Sequence, residues 1–131
     1  MINLEQFTAK VCEIAKEGGL YLAKERKSFR KEERKEKNTH DYVSYVDKET
    51  EKLLVKKLTE LLPEASFITE ENTVEFVEND YCWIIDPLDG TTNYIHDNAP
   101  FCVSIALSYK SELQIGVVYE VCRDECFYAW K

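Results

Sequence analysis

No apolar run in this 131-residue chain approaches the roughly 20 residues that span a bilayer. The opening Met1-Ile2-Asn3-Leu4-Glu5 lacks the basic start and apolar stretch of a secretory signal. These absences argue against a membrane span and against export, so a cytoplasmic location is expected. No internal repeat or low-complexity segment is visible, and no two cysteines stand at CxxC spacing. The five cysteines (Cys12, Cys82, Cys102, Cys122, Cys126) form an odd set, each inside an apolar stretch where a small, buried, reduced thiol is ordinary. Cys122 and Cys126 have no companion His or Cys at zinc-ligand spacing.

What is present is the balance of a globular domain: 44% hydrophobic and 32% charged residues, at a length that suits one domain with its own core. The net charge of −8 is unevenly spread. Lys24 to Lys37 holds eight basic and four acidic residues, and the rest of the chain holds nine basic against 21 acidic. An acidic body argues against direct nucleic-acid binding.

Two helical patterns come first. After Asn3, an N-cap with Gln6 three residues on, apolar residues recur at Leu4, Phe7, Val11, Ile14, Ala15 and Leu22, close to one stripe of a 3.6 period. The charged run from Lys24 reads as a solvated helix end leading into a mobile loop. A second helix is expected with Val46, Thr50, Leu53, Leu54, Leu58 and Leu61 on one side, Asp41 and Asp47 at its start, and Pro63 closing it. Short apolar runs bounded by turn residues then predict strands at Phe67-Ile68, Cys82–Ile85, Phe101–Leu107, Ile115–Val121 and Cys126–Trp130, the last three as an antiparallel meander. The expected fold is layered α/β: two N-terminal helices packed on a mostly antiparallel sheet, with Cys82–Ile85 as its central strand. The meander stops at Lys131 with nothing after it to cover the open sheet, which suggests part of a larger unit.

The chemistry concentrates in Trp83-Ile84-Ile85-Asp86-Pro87-Leu88-Asp89-Gly90-Thr91-Thr92. A buried strand would deliver Asp86 at its carboxyl end, where open α/β sheets place ligands. Pro87 then stiffens the turn from which Asp89 emerges. Two carboxylates and the Leu88 carbonyl make a hard oxygen set suited to Mg²⁺. Gly90 allows close backbone approach, and Thr91 and Thr92 can open a helix whose free N–H groups receive a phosphate. Alone, Asp-Pro-x-Asp-Gly reads equally well as an ordinary turn. Glu70 and Glu71 alone read as a solvated loop, and Asp47 as a helix cap.

Together these segments resemble the inositol monophosphatase family. Asp41-Tyr42-Val43-Ser44-Tyr45-Val46-Asp47, Phe67-Ile68-Thr69-Glu70-Glu71, and Trp83 through His96 continuing to Val103-Ser104-Ile105-Ala106 match its successive signatures in order and spacing, from about Asp41 to Tyr119. The resemblance implies a Mg²⁺-dependent, Li⁺-sensitive phosphomonoesterase acting on inositol monophosphate or a related small polyol or sugar phosphate, and working as a homodimer. It implies that Glu70, Asp86 and the Leu88 carbonyl bind one Mg²⁺ and that Asp86 bridges to a second ion held by Asp89. It further implies that Thr91, paired with Asp47, orients the attacking water, and that the Gly90 and Thr91 N–H groups hold phosphate oxygens. Lys37 resembles part of a segment that covers the site.

Thr92-Asn93-Tyr94-Ile95-His96 favours this branch over bisphosphate nucleotide phosphatases, which tend to carry Lys-Glu after Gly-Thr, and over fructose bisphosphatases, which tend to carry Ser-Ser-Asn. Two departures stand out: Thr69 where the family usually has Gly, and the loop His96-Asp97-Asn98-Ala99-Pro100. The family's later half, with another metal ligand and most substrate contacts, has no counterpart in these residues. Residues 1–131 therefore read as a single N-terminal αβ domain carrying most of a metal site. The alternative is an incomplete or non-catalytic member acting as a metal- or phosphate-binding or protein-partner module, as some bacterial members do with transcription complexes.

Overall fold

Helix α1 (Leu4–Lys31) begins where Asn3 turns its side-chain oxygen back to accept the Gln6 backbone N–H at 3.0 Å, which satisfies one of the donors left over at a helix start. The computed structural model describes residues 2–31 and 36–131, with side chains described outside 29–40. The inward stripe of α1 is Val11, Ile14, Ala15 and Leu22, all buried, as the periodicity predicts. Between them a Cβ on Gly19 would fall 2.5 Å from the Tyr119 ring, so glycine is what lets the helix lie against the sheet at that point.

Helix α2 (Glu36–Leu61) buries Val43, Val46, Thr50, Leu54 and Leu58, while Leu53 and Leu61 are half-buried and Leu62, past the helix end, is buried. Tyr42 ties it to α1 by donating to the Glu25 carbonyl at 2.8 Å. Both helices run further into the charged segment than its composition suggests. Lys, Arg and Glu are good helix formers, so a lack of apolar anchors marks solvent exposure and not a helix end. Of the run expected to lead into a mobile loop, residues 32–35 lie outside the described residues, as does any role of the Lys37 side chain. One consequence corrects the expectation for Asp47: it stands in the middle of α2 and does not cap it.

Five strands follow: β1 (Ser66–Thr69), β2 (Tyr81–Asp89), β3 (Cys102–Tyr109), β4 (Glu112–Glu120) and β5 (Glu125–Trp130). They lie in sequence order in one sheet, with β1 parallel to β2 and every other pair antiparallel. The expected mostly antiparallel sheet with helices on one face is what forms. The middle position, however, belongs to β3, and the motif-bearing β2 sits second, beside the short edge strand β1. Alternation sorts the faces: Trp83, Ile85, Val103, Ile105, Leu107, Ile115, Val117 and Tyr119 are buried beneath the helices, while Ile68, Ile84, Val118 and Phe127 are exposed on the other side. All five cysteines are free thiols, but only Cys82 is buried. Cys122 is exposed, lying within the β4–β5 turn. No helix among the described residues is long and apolar enough to cross a membrane.

Candidate functional site

The motif strand does not end at Asp86. β2 continues to Asp89, and its pairing with β3 slips from Asp86↔Ser104 to Asp89↔Cys102, so one extra residue is accommodated on β2. Pro87 sits in this bulge, where a missing N–H is tolerated. The bulge, and not the stiff turn expected from Asp-Pro, separates the two carboxylates: Asp86 is half-buried, Leu88 is buried, and Asp89 is exposed.

Gly90 then takes φ +97°, a left-handed conformation that favours glycine. A Cβ there would lie 2.9 Å from the Pro100 carbonyl oxygen and 3.2 Å from the Phe101 Cα, so the backbone leaves no room for one. The short helix α3 (Thr91–Ile95) starts immediately, its first internal bond running from the Tyr94 N–H to the Gly90 carbonyl at 3.0 Å. The N–H groups of Thr91, Thr92 and Asn93 precede that bond and have no carbonyl within the helix to meet. The Thr91 hydroxyl donates to the Leu88 carbonyl at 3.4 Å, a long and weak bond.

Glu70 and Glu71 follow β1, with Glu70 exposed and Glu71 half-buried. Thr69 puts its hydroxyl to use by accepting the Asn72 N–H at 3.1 Å, where Asn72 turns with φ +54°. Asp47 reaches toward the same region from α2 and is only 7% exposed. One carboxylate oxygen each on Asp47 and Asp86 is buried without any hydrogen-bond partner. Burial pushes the Asp47 carboxyl up to about 7, and the negative charges of Glu71, Glu70, Asp86 and Glu51 push in the same direction. Asp86 is raised to about 6, first by burial, then by the charge of Glu70, a hydrogen bond with it, and the charge of Asp89; a backbone bond at Leu88 opposes these. Carboxylates from α2, the β1–β2 connection and β2 are thus brought within electrostatic reach of one another. Among the described residues no Lys or Arg forms an ion pair with Asp47, Glu70, Glu71, Asp86 or Asp89. Nor, among those residues, does any group of three or more Asp, Glu, His or Cys side chains stand close enough to hold an ion as placed.

Sequence reasoning missed Glu51. It is fully buried one turn beyond Asp47, and its carboxylate accepts the Glu71 N–H at 2.9 Å, the Thr73 N–H at 2.9 Å and the Thr73 hydroxyl at 2.7 Å. The segment carrying Glu70 and Glu71 is thereby moored to the helix carrying Asp47. A signal was available: Asp47 and Glu51 interrupt the stripe of Val43, Val46, Leu54 and Leu58, and a buried acid on an apolar stripe demands a partner. Glu51→Gln keeps the volume but turns an NH₂ group toward donors. It is expected to destabilise the fold by about 1–3 kcal/mol. An unchanged thermal midpoint would show that these three bonds do not moor the segment.

The model of the inositol monophosphatase family matches residues 3–131. Nus factor SuhB of Pasteurella multocida is 42% identical over 94 residues, covering 71% of this chain and 35% of the relative. The inositol monophosphatase of Dictyostelium discoideum is 36% identical, covering 99% of this chain and 48% of the relative. Among solved structures, the extragenic suppressor protein suhB of Bartonella henselae superposes with a TM-score of 0.79 at 31% identity, over 95% of this chain and 48% of that one. The inositol monophosphatase of Anabaena gives 0.76 at 32% identity, over 98% and 45%. The chain spans under half the length of these relatives. With the two helices, the sheet and the carboxylate-bearing bulge all inside the matched region, the chain belongs to the inositol monophosphatase family.

Proposed function

We propose that this chain carries most of the metal site of a Mg²⁺-dependent phosphomonoesterase acting on inositol monophosphate or a related small polyol or sugar phosphate. The observation that carries this reading is the pair of buried, unpartnered oxygens on Asp47 and Asp86 within an acidic cluster that no side-chain cation among the described residues neutralises. Such a cluster is unfavourable by itself and is relieved by a hard divalent ion. Glu70, Asp86, Asp89 and the Leu88 carbonyl supply the oxygen donors that suit Mg²⁺. When bound, the metal supplies charge stabilisation at phosphorus and lowers the pKa of coordinated water.

The chain's own groups do the remaining work. Asp47, raised to about 7 by burial and the neighbouring carboxylates, can hold or accept a proton near neutral pH. The Thr91 hydroxyl, already on the Leu88 carbonyl, lies beside the ligand set and can help orient the attacking water. Gly90 and the first N–H groups of α3 present donors to phosphate oxygens. The resemblance extends the proposal to Li⁺ inhibition, a homodimer and a cytoplasmic setting. Because the chain spans under half of its relatives, turnover is proposed for the protein that includes the remaining part, and residues 1–131 alone are expected to turn over negligibly.

The test is phosphate release from inositol monophosphate and from sugar phosphates, with Mg²⁺ and with a chelator. Release that depends on Mg²⁺ supports the proposal. Folded protein that releases no phosphate with any of these substrates would overturn it and favour a second reading, a protein-partner role. The name Nus factor, carried by the 42% identical relative from Pasteurella multocida, is what keeps that reading in view.

A further inference from the structure

The turn at Gly90–Thr91 is built from little of its own. Helix α3 has five residues, too few to persist without tertiary support. The Gly90 backbone rests on Pro100 and Phe101 at the start of β3. What holds those supports in place comes from a distant part of the chain, residue 26 on α1.

The Arg26 guanidinium carbon lies 4.7 Å from the centre of the Phe101 ring and 5.7 Å from that of Tyr94. The two rings meet edge to face, 5.1 Å apart. One guanidinium nitrogen pairs with the Asp97 carboxylate at 2.8 Å and donates to the Asn98 carbonyl at 3.4 Å. The Arg26 side chain is only 12% exposed while that of Asp97 is 46% exposed, so the ring contacts are better shielded from water than the ion pair. Tyr94 adds a second tie to α1 by donating its hydroxyl to the Leu22 carbonyl at 2.9 Å. Within the loop, Asn93 donates to the Pro100 carbonyl at 2.7 Å, which links the α3 helix to the residues that carry Gly90. Arg26 thus touches α3, the loop after it and the first residue before β3 at once. Asp97, part of the loop that departs from the family's commoner form, is its ionic partner.

We propose that Arg26 is a positioning residue for the phosphate-receiving turn, holding Gly90–Thr91 in place through Tyr94, Phe101 and Asp97. This inference rests on the assignment of that turn to phosphate. Lysine cannot replace the arginine, because a point charge on a flexible stem lacks the flat face that lies over the Phe101 and Tyr94 rings while its edge meets Asp97.

The test compares the wild-type protein with Arg26→Lys and Asp97→Asn, the second leaving the arginine in place. Two quantities are read: amide hydrogen exchange at Tyr94–His96 against that at Trp83–Ile85 in β2, and affinity for inorganic phosphate by calorimetry with Mg²⁺ present. In both variants, exchange at Tyr94–His96 is expected to quicken while β2 stays protected, and phosphate affinity is expected to fall, in Arg26→Lys by about tenfold, as for a misplaced charge-assisted contact. Unchanged exchange at Tyr94–His96 in both variants would overturn the proposal. So would quickened exchange with phosphate affinity intact, or an equal acceleration in β2, which would mean a general loosening. Wild-type protein that binds no phosphate would instead sink the assignment of the turn itself, and this inference with it.

Discussion

Asp86→Asn is expected to reduce Mg²⁺-dependent phosphate release by at least about two orders of magnitude, the lower range for loss of a central electrostatic stabiliser. The reason is positional. Asp86 is the carboxylate that the bulge of β2 holds half-buried, with one oxygen unpartnered and within the influence of the charges of Glu70 and Asp89. Asn keeps the shape and loses the charge. The same variant is expected to be no less stable than wild type without metal at pH 8, because it removes a carboxylate that burial and its neighbours disfavour. Lost turnover with a maintained or higher melting temperature in chelator therefore separates a missing ligand from a damaged fold. Near-normal release by folded Asp86→Asn protein would end the assignment of Asp86 as a shared ligand.

A second large effect is expected in the coupling of pH, metal and stability. The Asp47 carboxyl stands near 7 in the folded chain against an ordinary value of 3.8, and Asp86 near 6. Between about pH 4 and 7 the folded state therefore holds protons that the unfolded state has released, and stability must fall as pH rises through that window. For Asp47 the ceiling on this loss is about 4 kcal/mol, because each tenfold gain in proton affinity on folding is worth about 1.4 kcal/mol. Mg²⁺ binds the ionised carboxylates, so it should add little at pH 4.5 and should offset most of the loss at pH 8. A free ion at a hundred times its dissociation constant contributes about 2.7 kcal/mol. Thermal scans at pH 4.5, 6 and 8, in chelator and in Mg²⁺, measure this directly. A midpoint that rises from pH 4.5 to 8 in chelator, or one that ignores Mg²⁺ at pH 8, would contradict the electrostatic picture of the site.

The candidate site was legible wherever its chemistry is local in the chain. The bulged run Asp86-Pro87-Leu88-Asp89-Gly90 announces itself by residue type, and Gly90 occupies the backbone position that calls for glycine. Glu70 and Glu71 were visible as acids at a strand end. Asp47 was visible as a residue but misplaced as a cap, because helix-forming charged residues hid how early α2 begins. The extension of β2 through Pro87 was hidden too, since a proline in a strand ordinarily argues for its end unless a bulge absorbs it.

By itself the sequence determined two amphipathic helices, five short strands, the Asn3 cap and the order in which acids, glycine and threonines meet at one bend. Each of these depends on spacing within a few residues, where periods of 3.6 and 2 and the conformations open to Gly and Pro govern the chain. Only the tertiary structure decided that β1 runs parallel to β2 and that β3 takes the centre. It also decided that Glu51 moors Thr73, 22 residues away, and that Arg26 bonds Asn98, 72 residues away. Those contacts form because a buried carboxylate and a mostly buried guanidinium must find partners wherever packing brings them, and local spacing carries no trace of which distant segment that will be.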